Sequence, residues 1–262
     1  MDCAPSAPKP RQLLALLALH ANEVVSTSMC IDELWATSPP PSAVTTVRTY
    51  AMRIRRALHE ARTGPVPTGT ELHTRQRGYL LTVARPELDL FRFMDCVDDA
   101  KRAFSDDNCE RGAATLNEAL GLWQGPPLVD IHAGPIIATH LARLREVRFN
   151  SLELRIEAEL KLGMHNELIG ELVGLAEEFP VHENLHAQLM VALFRSGRQA
   201  QALAVFRKLH RTLAEELGIE PSRRIKRLHE ALLSADPELE PPRCRSGALA
   251  RTLDLLTGGP VA

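Results

Sequence analysis

The sequence lacks the features that mark several common classes of protein. Its five cysteines are odd in number and scattered, and no two of them form a CxxC pair: Cys3, Cys30, Cys96, Cys109 and Cys244. This spacing argues against both a disulfide framework and a zinc site, and it favours reduced thiols in a cytoplasmic protein. No stretch approaches the ~20 apolar residues of a membrane-spanning helix. We therefore expect a soluble protein without a membrane partner.

Motifs for nucleotide binding and for hydrolysis are also missing. The sequence contains no GxxxxGK[ST], no GxGxxG and no GxSxG. These motifs cradle phosphates or present a nucleophilic serine, so their absence gives no support to a nucleotide site or a serine hydrolase. We predict no cofactor, no catalytic residue and no enzymatic activity.

One short segment does match an enzyme motif. The run from His182 to His186 has the form HExxH, which on a helix brings two imidazoles to one face for zinc and supplies a glutamate as general base. The longer metzincin pattern fails, because Leu189 and Ala192 stand at the positions of its glycine and third histidine. Leucines at helical spacing also give this segment a packing face. A packing helix is the favoured interpretation, with a zinc peptidase as the alternative.

Acidic residues are absent between Glu33 and Glu60, and the gap contains the segment SAVTTVRTYAMRIRRAL, Ser42 to Leu58. Its apolar spacing predicts a helix with one buried stripe and one polar face. The stripe is predicted to contain Val44, Val47, Ala51, Ile54 and Leu58, and the opposite face Thr45, Thr49, Met52, Arg53 and Arg56. Hydroxyl groups and arginines on one face suit the major groove of DNA. A solvated basic face is the alternative interpretation.

Charge is divided unevenly along the chain. Between Lys9 and Val83 nine basic residues stand against five acidic ones, whereas the whole chain has a net charge of −2. The rest of the chain is therefore acidic. A basic first part joined to an acidic remainder favours a polyanion-binding module followed by a module with another task.

The first part contains the elements of a helix-turn-helix. Arg11 to His20 forms an apolar run that predicts a buried helix; the basic residues ahead of it imitate a secretory signal, but no good cleavage site follows. We expect no order in Met1 to Pro10. Ser26-Thr27-Ser28 supplies the N-cap of a second helix, which Pro39-Pro40-Pro41 must end before the helix that begins near Ser42.

A small wing is predicted after the third helix. Glu71 to Thr74 and Tyr79 to Val83 have β character, and Arg75 to Gly78 joins them. We expect Gly78 to adopt a positive φ at this hairpin. Arginines at such a tip can lie in the minor groove, whose negative potential attracts them.

The remainder of the chain is predicted to be helical. Leu90 to Phe104, Cys109 to Leu122 and Ile136 to Leu162 have helical periodicity. Leu162-Gly163 and Ser196-Gly197 are separated by 34 residues, and Pro180 and Pro221 each follow the second helix of a pair. This is the period of a tetratricopeptide array, whose surfaces bind protein segments; a plain helical bundle is the alternative. The tail, residues 240–262, is expected to be disordered.

Three segments resemble one family. KPRQLLALLALHANEVVSTSMCIDELW, SAVTTVRTYAMRIRRAL and RQRGYLL resemble the OmpR-type winged helix of the Streptomyces antibiotic regulatory proteins, and Leu88 to Leu239 resembles their bacterial transcriptional activation domain. The resemblance implies a sequence-specific activator of antibiotic biosynthesis genes that binds promoter DNA at direct repeats, and a dimer is one arrangement that such repeats allow. RNA polymerase and its sigma factor are the implied protein partners. An adaptor of tetratricopeptide type without DNA binding is the alternative function.

The resemblance also assigns residues and domain limits. By position it implies base-facing roles for Arg48, Thr49, Met52 and Arg53, phosphate contact or support for Thr45, Thr46, Arg55, Arg56 and Trp35, and wing roles for Arg75 and Arg77. The domains are expected at 1–85, 86–239 and 240–262, in a mainly α fold with a β-hairpin wing.

The family's winged helix starts with a small antiparallel sheet, and Met1 to Pro10 is too short and proline-rich to supply it. We therefore expect that sheet to be missing and apolar side chains of the first and third helices to be partly uncovered.

Overall fold

The structure is a computed structural model that describes residues 7–62 and 69–239. In these residues the elements are α1 (Pro8–Leu19), β1 (Val24–Ser26), α2 (Thr27–Trp35), α3 (Ala43–Arg62), β2 (Glu71–Arg75), β3 (Gly78–Thr82), α4 (Asp89–Ser105), α5 (Cys109–Gly121), α6 (Pro135–Lys161), α7 (His165–Glu178), α8 (Glu183–Arg195), α9 (Gln199–Leu217) and α10 (Arg223–Leu233). Single turns of 3-10 helix occupy Arg85–Glu87 and Pro237–Leu239. The predicted class, a mainly α protein with a small β wing, is confirmed.

The chain divides into two compact units, each formed by two stretches of sequence or more. The first unit consists of the residues up to Ser105 together with Ala114–Leu152. The second unit consists of Asp106–Ala113 and the residues from Glu153 onward. The domain limits expected from the sequence stay a prediction. The tail at 240–262, for which disorder is expected, lies outside the described residues.

The first two helices start where local chemistry favours it. α1 begins at Pro8, earlier than predicted, because proline is well suited to the first turn of a helix, where its missing N–H is not needed. In α2 the Ser26 hydroxyl accepts a hydrogen bond from the amide of Met29 at 3.1 Å, which confirms the predicted cap.

A three-stranded antiparallel sheet has the order β1-β3-β2. Strand β1 was not predicted, since three residues are too few to display a strand period. It pairs with β3 so that Val25 lies opposite Tyr79, while Leu72 of β2 lies opposite Leu81. The hairpin is therefore held on both sides of β3.

Gly78 does not have the conformation that the sequence predicts. It belongs to β3, where it pairs with Ser26 and Arg75, and it is not among the glycines of positive φ. A Cβ atom at this position would lie 2.1 Å from the carbonyl oxygen of Val25. Glycine is needed here because β1 passes so close to the backbone.

The core of the first unit buries α1 and α3 completely on one side. Leu13, Leu16, Val47 and Ile54 are 0% exposed. Val44, predicted to be buried, is exposed, because Ala43 takes the inner position and repeats with Val47 at a spacing of four residues.

A segment that follows the wing completes this core. Ile137 and Leu141 of α6 belong to the same buried cluster as Leu13 and Leu16, and Leu128 and Ile131 pack against it. A later part of the chain thus covers Leu13 and Leu16, and the expectation that apolar side chains are partly uncovered is wrong for these two residues of the first helix. In the third helix Val44 is 44% exposed, in agreement with that expectation.

The helix pairs of the second unit turn in the same way. Gly163 and Gly197 have φ values of 84° and 74°. The next amide in each case, from Met164 and Arg198, bonds to the carbonyl five residues earlier, at 3.0 and 2.8 Å. Both turns are thus Schellman-type helix ends, and the 34-residue spacing predicted from the sequence corresponds to a structural repeat.

Candidate nucleic-acid interface

Helix α3 presents a polar face opposite its buried one. Ala43, Val47, Ala51 and Ile54 are buried. The outer face contains five exposed side chains, those of Thr45, Arg48, Met52, Arg53 and Arg56, with Thr46 and Thr49 partly exposed. Met52 is 63% exposed, which is unusual for a large apolar side chain in a folded domain. The predicted base-facing residues thus share one accessible surface.

The cations of this face differ in their surroundings. Within the part of the chain that the structure describes, the side chains of Arg48 and Arg53 make no hydrogen bond or ion pair. Arg56 donates from Nε to Oε1 of Glu60 at 2.9 Å, but both side chains are largely exposed. Such a surface pair contributes ~0.3–0.5 kcal/mol and is easily exchanged for a contact with phosphate.

Two of the three threonine hydroxyls of this face, those of Thr46 and Thr49, already donate hydrogen bonds to the backbone. Thr46 Oγ1 donates to the carbonyl of Ser42 at 3.0 Å, and Thr49 Oγ1 donates to the carbonyl of Thr45 at 3.1 Å. The oxygen lone pairs remain available, so each hydroxyl can accept a hydrogen bond. An acceptor suits the amino group of adenine or cytosine, whereas a phosphate would need the proton.

Arg55 supports the wing instead of facing outward. Its Nε donates to the carbonyl of Leu72 at 2.9 Å, and its terminal nitrogen donates to Thr74 Oγ1. Both acceptors belong to β2. Of the two roles that the resemblance allowed, phosphate contact or support, this geometry corresponds to support.

Trp35 likewise occupies a supporting position at the end of α2. The side chain is partly buried, and the ammonium of Lys9 lies 5.2 Å from its ring centroid. Lys9 also donates to the carbonyl of Leu34. This cation over the ring fixes the start of α1 against the end of α2.

The wing carries two arginines at its tip. Arg75 ends β2 and Arg77 lies in the two-residue turn; both are exposed, and neither side chain has a partner among residues 7–62 and 69–239. The carbonyl of Arg77 accepts from the amide of Thr27 at 3.0 Å. The tip is therefore tied to the start of α2 while its guanidinium groups remain accessible.

Two buried groups of the first unit, the Cys30 thiol and the Tyr79 hydroxyl, are uncharged at neutral pH. Burial raises the pKa of the Cys30 thiol to about 12. Burial also raises the pKa of Tyr79, the nearby Cys30 thiol adding to the effect and the positive charges of Arg48 and Arg55 opposing it. The charge of this surface therefore comes from its arginines.

Sequence reasoning missed the role of Glu33. This buried carboxylate of α2 accepts hydrogen bonds from the amides of Gly134, Ile136 and Ile137 at 2.6, 2.9 and 3.0 Å. Gln12 of α1 donates to the same carboxylate at 2.9 Å. Glu33 therefore caps α6, and no local pattern could reveal this because the cap and its helix are about a hundred residues apart.

The HExxH segment has structural partners. His182 precedes α8 as its N-cap, Glu183 accepts from the amide of Ser222 at 2.8 Å, and buried His186 makes a 3.1 Å contact from Nδ1 to the carbonyl of His182. In the described ranges no three side chains form a group suited to a metal ion. No helix of those ranges is long and apolar enough to cross a membrane.

Comparison with known proteins identifies two regions. Residues 4–81 match the family described as "Transcriptional regulatory protein, C terminal", and residues 88–233 match the "Bacterial transcriptional activator domain". The regulatory protein DnrI of Streptomyces peucetius is 46% identical over 260 residues, covering 94% of this chain and 93% of DnrI. The transcriptional regulator RedD of Streptomyces coelicolor is 34% identical, covering 90% of this chain and 67% of RedD.

Two longer relatives share only part of their length with this chain. The regulatory protein AfsR of Streptomyces griseus is 37% identical, but the chain spans 23% of it. The structure of Mycobacterium tuberculosis EmbR in complex with a low-affinity phosphopeptide superposes with a TM-score of 0.81 at 29% identity, covering 96% of this chain and 65% of EmbR. The chain thus belongs to the Streptomyces antibiotic regulatory protein family and is a DNA-binding transcriptional activator.

Proposed function

We propose that α3 enters the major groove of promoter DNA and that the wing contacts the neighbouring minor groove or backbone. Arg48, Arg53 and Met52 then face base edges, with Thr49 as an acceptor. Arg75 and Arg77 contact the backbone or the minor groove. Arg55 and Trp35 hold the elements that present these residues.

One observation carries this proposal. The inner side of α3 is buried, while Arg48 and Arg53 on its outer side are exposed and without an intramolecular partner in the described ranges. An exposed arginine that the fold does not use can make bidentate contact with guanine or with phosphate. The basic charge of this part of the chain supports an anionic target.

The finer biological role follows from the family. We infer that the protein activates the genes of an antibiotic biosynthetic pathway, works on chromosomal DNA in the cytoplasm, binds direct repeats as two copies and contacts RNA polymerase and its sigma factor. Membership of the family supports the role in transcription, and the repeated helix pairs of the second unit supply surfaces suited to proteins.

The test begins with selection of a duplex from a random library by the full chain. Arg53→Ala should cost ~1–3 kcal/mol on the selected duplex and relax the preference at one base pair, because a bidentate contact is lost. Arg77→Ala should weaken selected and random duplexes alike and lower the salt slope by about one. Titrations on both duplexes at several salt concentrations measure these effects.

Arg145→Ala is the matched control, since Arg145 is an exposed arginine of α6 in the same unit. It should change neither affinity nor preference. Equal losses on selected and random DNA for Arg53→Ala would contradict base reading, and failure of the library to enrich any sequence would contradict sequence-specific binding itself.

A further inference from the structure

The second unit has a strongly polarised distribution of charge. From Glu153 to Glu183 there are eight acidic and two basic residues, whereas from Arg195 to Arg227 there are nine basic and three acidic residues. The unit therefore has a basic part although the chain as a whole is slightly acidic. This basic part consists mainly of α9 and α10.

Five of these cations form what we call the arginine face: Arg207, Arg211, Arg223, Arg224 and Arg227. All five are exposed, and in the described residues none of their side chains has a hydrogen bond or an ion pair. Neighbouring lysines are engaged, since Lys208 pairs with Glu177 and Lys226 lies 3.2 Å from Glu220. The fold thus uses the lysines and leaves the arginines accessible.

Helix geometry directs four of the arginines away from the core. Arg207 and Arg211 each lie two positions from Leu209, which is 0% exposed. Arg223 and Arg227 stand in the same relation to Ile225, which is 2% exposed. Two residues correspond to about 200° around a helix, so both pairs lie opposite the buried side.

The pair on α9 lies near α10 because the two helices pack together. The Phe206 ring of α9 stacks on His229 of α10 with ring centroids 3.8 Å apart and an interplanar angle of 10°. Burial lowers the pKa of His229, and the positive charge of Arg207 lowers it further. Arg207 therefore lies close to α10.

We propose that the arginine face binds the phosphate backbone of DNA that flanks the recognition site. The inference rests on the proposed function, because binding by the winged helix would hold the second unit near DNA at a high effective concentration. Guanidinium groups on successive turns, ~6 Å apart along a helix, suit bidentate contact with phosphates.

The composition of the face favours DNA over an acidic protein surface. Its other outward positions include Ala200, Ala204, Ala214, Glu215 and Glu230, all exposed. The exposed large apolar side chains of this part, Leu217, Ile219 and Leu233, stand at or just beyond the ends of α9 and α10 and not at the centre of the face. Protein interfaces usually have aromatic or large apolar side chains at their centre, and the alanine and glutamate positions supply none. Contact with a phosphate backbone needs only the charges.

The experiment uses the full chain and two duplexes that carry the selected site, one with 5 bp and one with 25 bp of random sequence on each side. Two variants each remove a pair of arginines: Arg207→Ala with Arg211→Ala, and Arg223→Ala with Arg227→Ala. On the long duplex each pair should lower the salt slope by about two and affinity at least severalfold. On the short duplex both affinity and base preference should be unchanged.

A double variant in the same unit serves as the control. Arg198→Ala with Lys161→Ala removes the same charge from exposed positions outside the arginine face and should leave both duplexes unaffected. Arg53→Ala should relax the preference at one base pair of the selected site on both duplexes, which separates failure of the winged-helix assignment from failure of this one. If no site is selected, the same slopes are measured on a random duplex of ~60 bp.

The proposal would be overturned if the two arginine-pair variants bound the long duplex with the same affinity and the same salt slope as the unsubstituted chain. If those values are unchanged while transcription in a reconstituted assay falls, the face meets an acidic protein of the transcription machinery, which also overturns the DNA assignment. An equal loss in the control double variant would show that only overall charge matters.

Discussion

Glu33 is the side chain that most directly joins the two regions matched by family models. It lies in α2 of the winged helix, yet its carboxylate accepts three amides at the start of α6, in the region of the activator domain. A helix N-terminus carries partial positive charge and unpaired N–H groups. A buried carboxylate there accepts hydrogen bonds from these groups, which would otherwise be buried without a partner at a cost in free energy.

Replacing Glu33 by glutamine should destabilise the first unit. The amide group of glutamine would direct N–H donors at N–H donors and leave at least one of the three amides unsatisfied, at a cost of ~1–3 kcal/mol. Urea unfolding measures the change. Asp32→Asn is the control, because Asp32 is exposed on the same helix; equal midpoints for the two variants would contradict the capping role.

Individual residues of α3 show how far sequence reasoning reaches. The exposure of Arg48, Met52 and Arg53 could be predicted because a period of 3.6 residues assigns each position to a side of the helix. The use of Arg55 could not, since its acceptor is a backbone carbonyl 17 residues later. Which exposed side chains contact bases stays a prediction.

Among the elements, β1 has the largest effect for its size. Its three residues supply the second neighbour of β3, so the wing is part of a sheet rather than an isolated hairpin, which would be marginal in water. The contact is possible only because Gly78 has no side chain.

Gly78→Ala should separate β1 from β3. The new Cβ would meet backbone at 2.1 Å, which cannot yield as a flexible side chain can, and overpacking of this kind costs ~1–3 kcal/mol. Hydrogen exchange at Val25 and Tyr79 should become faster. Gly69→Ala is the control, because the nearest atom, 3.5 Å away, is the carboxylate of Glu87; comparable exchange in the two variants would show that the sheet tolerates the added carbon.

At the scale of the whole molecule, the DNA-binding part does not contain its entire core. Ile137 and Leu141 belong to the buried cluster that covers α1, although the family model for the winged helix ends at residue 81. Periodicity predicted the limits of α4, α5 and α6 to within one residue, whereas α1 begins three residues earlier and α3 ends four residues later than predicted. The packing of these helices could not be predicted, because a contact between residues more than a hundred positions apart does not produce a periodic pattern in the sequence.

A fragment of residues 1–85 should therefore be much less stable than one of residues 1–152. The short fragment lacks Ile137 and Leu141, and burial of each of these side chains stabilises the fold by ~1.5–3 kcal/mol. It also lacks the backbone amides of α6 that donate hydrogen bonds to Glu33. Urea unfolding and near-ultraviolet circular dichroism compare the two. A short fragment with the same midpoint as the longer one would show that α6 is dispensable for the winged helix.

The shared core also bears on how such regulators exchange parts. A crossover between two relatives near residue 85 would join one protein's Leu13 and Leu16 to another protein's Ile137 and Leu141, and these surfaces must fit each other in volume. A crossover after Leu152 would take all four of these residues from the same parent protein. Functional hybrids made by recombination should accordingly have their junctions within α6 far more often than at the end of the wing.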